Sequence, residues 1–214
     1  MKKLIAISVY GNSPMYWCGA ERNARLVSEI YPGWTLRLYI DNLKYAKCYE
    51  DLGCEVVHMK RSRGQSGMFW RFLSAWDEEA ERVIFRDADS RLNVREAAAV
   101  RAWEESGLDA HCMHDHKHHR ILPISGGMWG IKCRVLSKEL YRMVQRRGIK
   151  PQKRVADMRF LANCVYPVIE NTLLRHTSVS SLKGWKGVPF PPHLPYKGFV
   201  GEQFDENDKS FSVR

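Results

Sequence analysis

The chain lacks any hydrophobic run of the length that a membrane span needs. Its 214 residues are 44% hydrophobic, yet no apolar stretch approaches the ~20 residues of a transmembrane helix. The start, MKKLIAISVYG, has a short basic head and a short apolar segment, and no small-residue cleavage site follows it. We interpret this start as a first strand and not as a signal peptide. The sequence therefore predicts a cytoplasmic protein with no membrane span.

Paired cysteines are also missing. The six cysteines are scattered along the chain and no C-x-x-C occurs, which argues for reduced thiols and against a disulfide framework. The histidine-rich run HCMHDHKHH, residues 111–119, has none of the paired Cys/His spacing of structural zinc sites. We interpret it as a polar loop, with His114 or Asp115 as candidate contacts for a ligand.

Internal repeats, low-complexity tracts and linkers are absent before residue 183, which favours one domain over residues 1–214. From Lys183 onward the chain is rich in glycine and proline and has no periodicity. Its aromatic residues favour a tail that wraps around the domain, and Trp185 is the candidate there for stacking on a ligand.

Acidic residues are fewer than basic ones, and the formal net charge is +10. This balance favours an anionic partner: nucleic acid, a nucleotide diphosphate or an acidic glycan. Solubility alone explains any single basic cluster as well. A nucleic-acid-binding face requires a basic stripe with interleaved aromatic residues, whereas the basic residues here are spread along the chain. Nucleic acid is therefore the weaker alternative.

The first half of the chain alternates strand and helix patterns. KKLIAISVYG is a continuous apolar run, WTLRLYID alternates, CEVVHM follows, and RVIF is a fourth strand. Helical spacing separates these segments, including a stripe of Phe69, Phe72, Leu73 and Trp76. The β-α-β-α-β-α-β order predicts an α/β fold with a mostly parallel central sheet flanked by helices.

Polar residues follow three of the predicted strands. Tyr10 and Gly11 end the first strand, Asp41 ends the second, and Asp87 and Asp89 end the fourth. Because ligands bind at the carboxyl ends of strands in such sheets, we expect these residues to meet at one site.

The triplet Asp87-Ala88-Asp89 poses an electrostatic problem, since two close carboxylates repel each other. A hard divalent ion such as Mn²⁺ or Mg²⁺ prefers oxygen ligands and would relieve that repulsion. Ion pairs with Arg86 or Arg91 are the alternative. Spacing alone leaves both explanations open.

Five segments, YWCGAERNARLVSEIYPGWTLRLYID, SGMFWRFLSAWD, VIFRDADSRLN, GGMWGIK and FVGEQFDEND, together resemble small glycosyltransferases of the GT-A fold. The resemblance is strongest to capsid-glycan glycosyltransferases of chloroviruses, and it spans nearly the whole chain. It implies a single GT-A domain with a nucleotide-binding part at about 1–92, an acceptor and sugar part at about 93–182, and the wrapping tail at 183–214.

The resemblance also implies roles for individual residues. It implies a UDP-sugar donor, Mn²⁺ (or Mg²⁺) as the cofactor, a glycan or glycoprotein acceptor, and retention of the anomeric configuration. Lys60, Arg61 and Arg63 form a basic loop that either holds phosphate or is solvated. With a sugar as the ligand, His114, Asp115 and Trp185 are its candidate contacts. The implied site residues are Asp87, Asp89 and His176 for the metal, Asp157 and Arg71 for catalysis, and Val9, Tyr10, Gly11, Asp41, Arg63, Arg71, Asp87, Ala88, Gly126, Gly127 and Lys197 for the donor.

A nucleotidyltransferase acting on sugar phosphates is the main alternative, since it would also combine paired aspartates with a parallel sheet. Such an enzyme is expected to carry a Gly-rich, basic loop directly after the first strand. The segment YGNSPMYWCG has no basic cluster, which favours the glycosyltransferase.

Overall fold

A mixed seven-stranded sheet forms the centre of the protein. The computed structural model describes residues 1–211. The strand order is β3-β2-β1-β4-β6-β5-β7, and β6 alone runs antiparallel to its neighbours. The strands are β1 (Lys2–Val9), β2 (Thr35–Ile40), β3 (Glu55–His58), β4 (Ala80–Arg86), β5 (Ala110–His114), β6 (Trp129–Lys132) and β7 (Leu173–Thr177).

Helices cover both faces of this sheet. The α-helices are α1 (Pro14–Ile30), α2 (Ala46–Asp51), α3 (Val94–Ser106), α4 (Lys138–Ile149), α5 (Ala156–Phe160) and α6 (Tyr166–Ile169). A one-turn π-helix (Leu161–Val165) joins α5 to α6, and the 3₁₀ helices are Leu43–Tyr45, Ser66–Trp76, Lys117–Ile121 and Glu170–Thr172. None of the helices within residues 1–211 is long and apolar enough to cross a membrane.

Strand β1 shows why the sheet is buried on both faces. Leu4 and Ala6 pack into one hydrophobic cluster with the 3₁₀ helix Ser66–Trp76. Ile5 and Ile7 point the other way, into a second cluster under α1. All four residues are fully buried, as the continuous apolar run of the sequence requires. The predicted α/β fold with a mostly parallel sheet is confirmed.

Two local features differ from the sequence prediction. The stripe of Phe69 and Phe72 lies on a 3₁₀ helix, in which residues three apart share a face. Strand β7 was not predicted, because its two central residues, Arg175 and His176, are polar and resemble a loop. Both are buried, and β7 pairs in parallel with β5 at the sheet edge.

The segment beyond residue 183 contacts the domain at several points. Phe190 packs near Met113 and Val200, the Val200 amide donates to Asp115 over 2.9 Å, and the Phe204 amide donates to the Asp89 carbonyl over 2.8 Å. The last contact brings this segment to the carboxylate pair.

Candidate functional site

The loop after β4 is held in place by helix α1. The Asn23 side chain donates to the Ser90 carbonyl (2.9 Å) and accepts from the Leu92 amide (3.0 Å). At Gly19 the helix passes so close that an added Cβ would lie 2.0 Å from the Ala88 carbonyl oxygen. A glycine is therefore required where α1 meets the loop that carries Asp87 and Asp89.

The two arginines beside this loop do not neutralise its carboxylates. Arg86 is buried and pairs with buried Glu96, 3.0 Å away. Arg91 pairs with Asp208 over 2.8 Å. The explanation that the sequence left open, ion pairs with these neighbours, is therefore not what the structure shows.

A more distant arginine, Arg71, pairs with one of these carboxylates. Arg71, in the 3₁₀ helix Ser66–Trp76, forms a short ion pair with Asp87 and a second contact of 3.2 Å with Asp157. Its Nη1 also donates to the Arg86 carbonyl (2.7 Å), and its amide donates to the Ser8 hydroxyl (3.0 Å). The buried guanidinium thus connects the end of β4 with the start of α5, and the backbone amide of the same residue contacts the end of β1.

Asp89 is the more buried member of the pair, with 5% of its surface exposed. Burial, and secondly the neighbouring charge of Asp87, raise the pKa of the Asp89 carboxyl to about 6. The Gln203 side chain donates to its Oδ2 over 2.8 Å and partly opposes this shift. An additional positive charge would stabilise the ionised form of Asp89.

These residues line a cleft, which we call the inner cleft, at the carboxyl ends of β1 and β4. Its volume is about 190 Å³, and it reaches from the sheet to the C-terminal segment. Its lining consists of Ser8, Tyr10, Tyr16, Met68, Arg71, Asp87, Ala88, Asp89, Arg154, Val155, Asp157 and Gln203.

A second cleft, the outer cleft, adjoins the first. Its volume is about 540 Å³, within the usual range for small-molecule sites. Asp87, Arg154 and Gln203 line both clefts. The other residues of the outer cleft are His116, Lys117, His118, His119, Ser125, Gly126, Gly127, Met128, Met158, Phe199, Gly201 and Phe211.

Gly126 and Gly127 of the outer cleft pack closely against carboxylates that line the inner cleft. A Cβ at Gly127 would lie 2.1 Å from an Asp87 carboxylate oxygen, and one at Gly126 would lie 2.4 Å from Asp157. Asp157 is buried, which raises the pKa of its carboxyl, although Arg71 acts in the opposite direction. Val155, two residues before it, adopts a positive φ of 59°, and such strain in a β-branched residue is often found at functional sites.

Some of the residues expected to bind the donor line the clefts, and five do not. Tyr10 and Ala88 line the inner cleft, with the Tyr10 ring packed on Gly67. The remaining five do not line either cleft. Val9 is buried in β1, Gly11 is exposed, Asp41 accepts from the Ser62 amide (3.1 Å), and Arg63 and Lys197 are exposed.

The structure does not bring His176 to the carboxylate pair. His176 lies in β7, three strands from β4, which is about 14 Å across the sheet. It is buried, and its Nδ1 lies 2.9 Å from Nε2 of His111. The expectation that His176 completes a metal site is therefore corrected: its strand was not recognised, so its position was inferred from its late place in the chain and from the family resemblance.

The suggested sugar contacts also lie outside the clefts. Asp115 is buried and bound to Arg95 through both carboxylate oxygens, each over 2.8 Å. His114 is buried too, and Trp185 lies beside Arg175 at the β7 edge. Sequence reasoning missed Tyr16, Arg154 and Gln203. Gln203 and Tyr16 had a signal, because they lie in the segments FVGEQFDEND and YWCGAERNARLVSEIYPGWTLRLYID, whereas Arg154 had none.

The residues present suit a hard divalent cation that also binds a ligand. Asp87 and Asp89 offer carboxylate oxygens, and Gln203 lines the same cleft with its Nε2 bonded to Asp89. Across residues 1–211 no group of three or more His, Cys, Asp or Glu could hold a metal. Mg²⁺ and Mn²⁺ do not need three protein ligands, because they are commonly bound by one or two carboxylates plus phosphate and water.

Comparisons with known proteins give the class of fold. No protein-family model matches the chain, and no curated protein matches it by sequence. A solved glycosyltransferase involved in glycosylation of the major capsid of PBCV-1 is similar in structure, with a TM-score of 0.53 at 13% identity, over 83% of this chain and 82% of that one.

A second solved structure is the mannosyltransferase PcManGT from Pyrobaculum calidifontis, in complex with GDP-Man and Mn²⁺. It matches with a TM-score of 0.50 at 15% identity, over 89% of this chain, which spans only about half (55%) of that one. At these identities the likeness concerns the fold alone. The chain has a GT-A-like fold, a single α/β domain with a mostly parallel sheet flanked by helices.

Proposed function

We propose that the protein is a metal-dependent glycosyltransferase, which moves a sugar from a nucleotide-sugar to an acceptor hydroxyl. The observation that carries the proposal is the position of Asp87, which lines both clefts where they meet. A transferase of this kind has to hold two substrates with their reacting atoms together. The inner cleft would take the donor's diphosphate end and the outer cleft the acceptor.

Each residue at the junction has a distinct part in this proposal. Asp87 and Asp89, with Gln203, would hold Mn²⁺ or Mg²⁺, which when bound offsets negative charge on the departing nucleoside diphosphate. Arg71 holds the Asp87 carboxylate in place through their ion pair. Arg154, exposed and without an ion-pair partner among the described residues, would face the diphosphate. Tyr10 and Tyr16 would form the wall beside the nucleotide.

The donor we infer is a UDP-sugar, and the reaction we infer retains the anomeric configuration. Retention is supported by the state of Asp157. This carboxylate is engaged by Arg71 over 3.2 Å, so it is suited to positioning the sugar and not to acting as a free inverting base. The acceptor we infer is a glycan or glycoprotein, with the glycan of a viral capsid protein as the first to be tested. The proposal does not require Val9, Gly11, Asp41, Arg63, Lys197 or His176.

Calorimetric titration with UDP, GDP and CDP, each with and without Mn²⁺, tests the donor. Selective binding of UDP that requires Mn²⁺ and disappears in Asp89→Asn supports the proposal. Equal binding of all three, or tighter binding of DNA, contradicts it. Product analysis separates the main alternative, since a glycosyltransferase releases a nucleoside diphosphate whereas a nucleotidyltransferase releases pyrophosphate. NMR of the product's anomeric carbon tests retention.

A further inference from the structure

The polar groups of the outer cleft are mostly hydrogen-bond donors. The short 3₁₀ helix Lys117–Ile121 forms one wall, and His116 and His119 cap its start. The Nδ1 atom of His119 accepts from the amides of Asp115 (3.2 Å) and His116 (3.1 Å). A neutral imidazole whose Nδ1 is an acceptor carries its proton on Nε2. His119 therefore keeps an Nε2–H donor for a ligand, and no described residue accepts from it.

His116 is oriented in the same way. Its Nδ1 faces the His118 amide at 3.5 Å, so its proton also belongs on Nε2. Its ring stacks on Phe199, with 4.3 Å between the ring centroids and 17° between the planes. The stack fixes the imidazole against a flat aromatic surface that itself lines the cleft. Such a surface suits the apolar face of a sugar ring.

Two permanently charged side chains also line the outer cleft. Lys117 and Arg154 both line the outer cleft and are exposed. Neither has an ion-pair partner in the part of the chain that the structure describes, although fifteen salt bridges occur there. Among the described lining residues the acidic group is Asp87, which already pairs with Arg71. The wall thus has positive charge without an internal counter-ion.

From this arrangement we propose that the outer cleft takes a negatively charged acceptor, a sugar that carries a carboxylate or a phosphate group. The inference rests on the proposed function, because it names the acceptor class of the same site. Lys117 and the Nε2–H groups of His116 and His119 would bind the anionic group through charge-assisted and neutral hydrogen bonds. Phe199 would support the sugar ring, with the reacting hydroxyl toward Asp87 and Gly127.

Lys117 has an alternative role, at the donor instead of the acceptor. Lys117 could instead bind the diphosphate of the donor together with Arg154, which would leave the acceptor neutral. Lys117 lines the outer cleft and not the inner one, whereas Arg154 lines both. This difference favours an acceptor role for Lys117 and makes it the residue to substitute.

The test compares glucose, glucuronic acid, glucose 6-phosphate and inorganic phosphate as probes, by calorimetry on the full chain with UDP and Mn²⁺ present. We expect one or both charged sugars to bind about tenfold more tightly than glucose, and their preference to weaken as NaCl rises. Preference for glucuronic acid or for glucose 6-phosphate identifies the source of the charge. Lys117→Ala should remove the preference, and Lys117→Glu should reverse it.

Lys138→Ala is the matched control, because Lys138 is exposed, lines neither cleft and changes the net charge equally. It should bind all four probes as the parent does. Equal binding of glucose and both charged sugars overturns the inference, as does binding by inorganic phosphate that accounts for the whole effect. A loss of UDP affinity in Lys117→Ala with acceptor binding unchanged overturns it too. Failure of UDP itself to bind would instead contradict the proposed function, and the UDP titration reports this separately.

Discussion

Gln203 donates a hydrogen bond to the buried carboxylate of Asp89, over 2.8 Å and across 114 residues of sequence. The next residue, Phe204, donates its amide to the Asp89 carbonyl at the same distance. Both the side chain and the main chain of Asp89 are thus bound by the C-terminal segment. Order in this segment and the charge state of the carboxylate pair are therefore physically linked.

The first prediction concerns this hydrogen bond. Donation from Gln203 lowers the pKa of Asp89, whereas burial and Asp87 raise it. Gln203→Ala should therefore raise the pKa of Asp89 further and remove the hydrogen bond that orients its carboxylate. We expect Mn²⁺ affinity at pH 7 to fall by about tenfold or more, since a bound cation requires the ionised carboxylate. Gln145→Ala, an exposed change on α4, is the control. Unchanged Mn²⁺ affinity, measured by calorimetry, would contradict the role given to Gln203.

The second prediction is a gain in stability that accompanies a loss of function. In the folded protein without metal, the pKa of Asp89 is about 6, against about 4 in an unfolded chain. The folded state holds the proton more tightly, so ionising Asp89 destabilises it as pH rises through 4 to 6. Asp89→Asn removes this penalty. We expect the variant to be more stable than the parent by about 1–3 kcal/mol at pH 7, and no longer to bind Mn²⁺.

Urea denaturation at several pH values provides the measurement. The difference in unfolding free energy between Asp89→Asn and the parent should be small near pH 4, grow up to about pH 6 and then level off. Asp51→Asn, which alters an exposed carboxylate, is the control and should show no such growth. A difference that shrinks as pH rises would refute the assignment of a raised pKa to Asp89.

The sheet could be predicted from the sequence because its strands are local patterns. β1 and β4 are apolar runs, and their order with the intervening helices is sufficient for a parallel arrangement. β7 escaped prediction because Arg175 and His176 are stabilised by tertiary partners: Arg175 donates to the carbonyls of Lys186 (2.9 Å) and Pro123 (3.3 Å). No local pattern specifies such contacts.

In the candidate site too, the residues marked by a local pattern could be predicted, and those placed by tertiary packing could not. Asp87 and Asp89 were recognisable because they follow a buried strand directly, and Arg71 because the family resemblance indicated its position. Arg154 belongs to no motif, and Tyr16 lies in a segment of the resemblance that gave it no role. They reach the inner cleft because α1 and the turn before α5 pack there. His176 illustrates the converse: a residue of suitable chemistry late in the chain need not fold back to the site.

The third prediction tests the guanidinium that connects two carboxylates. Arg71 is 4% exposed, and its removal leaves Asp87 and Asp157 without their shared cation. Arg71→Met should lower the free energy of unfolding by about 3–5 kcal/mol, the range for breaking a buried ion pair. Arg71→Lys should recover part of the loss, because a single ammonium keeps the charge but cannot reach both carboxylates in the same way. Arg142→Met, on the exposed face of α4, should change stability by less than about 0.5 kcal/mol. Equal losses in Arg71→Met and Arg71→Lys would show that packing, and not charge, is what Arg71 contributes.

The fourth prediction concerns the close approach of α1 to the carboxylate loop at Gly19. Within a helix, alanine is favoured over glycine by about 1 kcal/mol, so Gly19→Ala would stabilise α1 if space allowed. The added Cβ would instead lie 2.0 Å from the Ala88 carbonyl oxygen, a backbone atom that no side-chain rotation can move away. The helix and the loop must then separate, which strains the hydrogen bonds from Asn23 to Ser90 and Leu92. We expect a net loss of about 1–3 kcal/mol in stability, together with weaker Mn²⁺ binding because Asp87 and Asp89 shift apart from Gln203.

Ser28→Ala, exposed on the same helix, is the control for helix propensity. If Gly19→Ala were as stable as the parent and bound Mn²⁺ equally well, the contact between α1 and the loop would not be what positions the carboxylate pair.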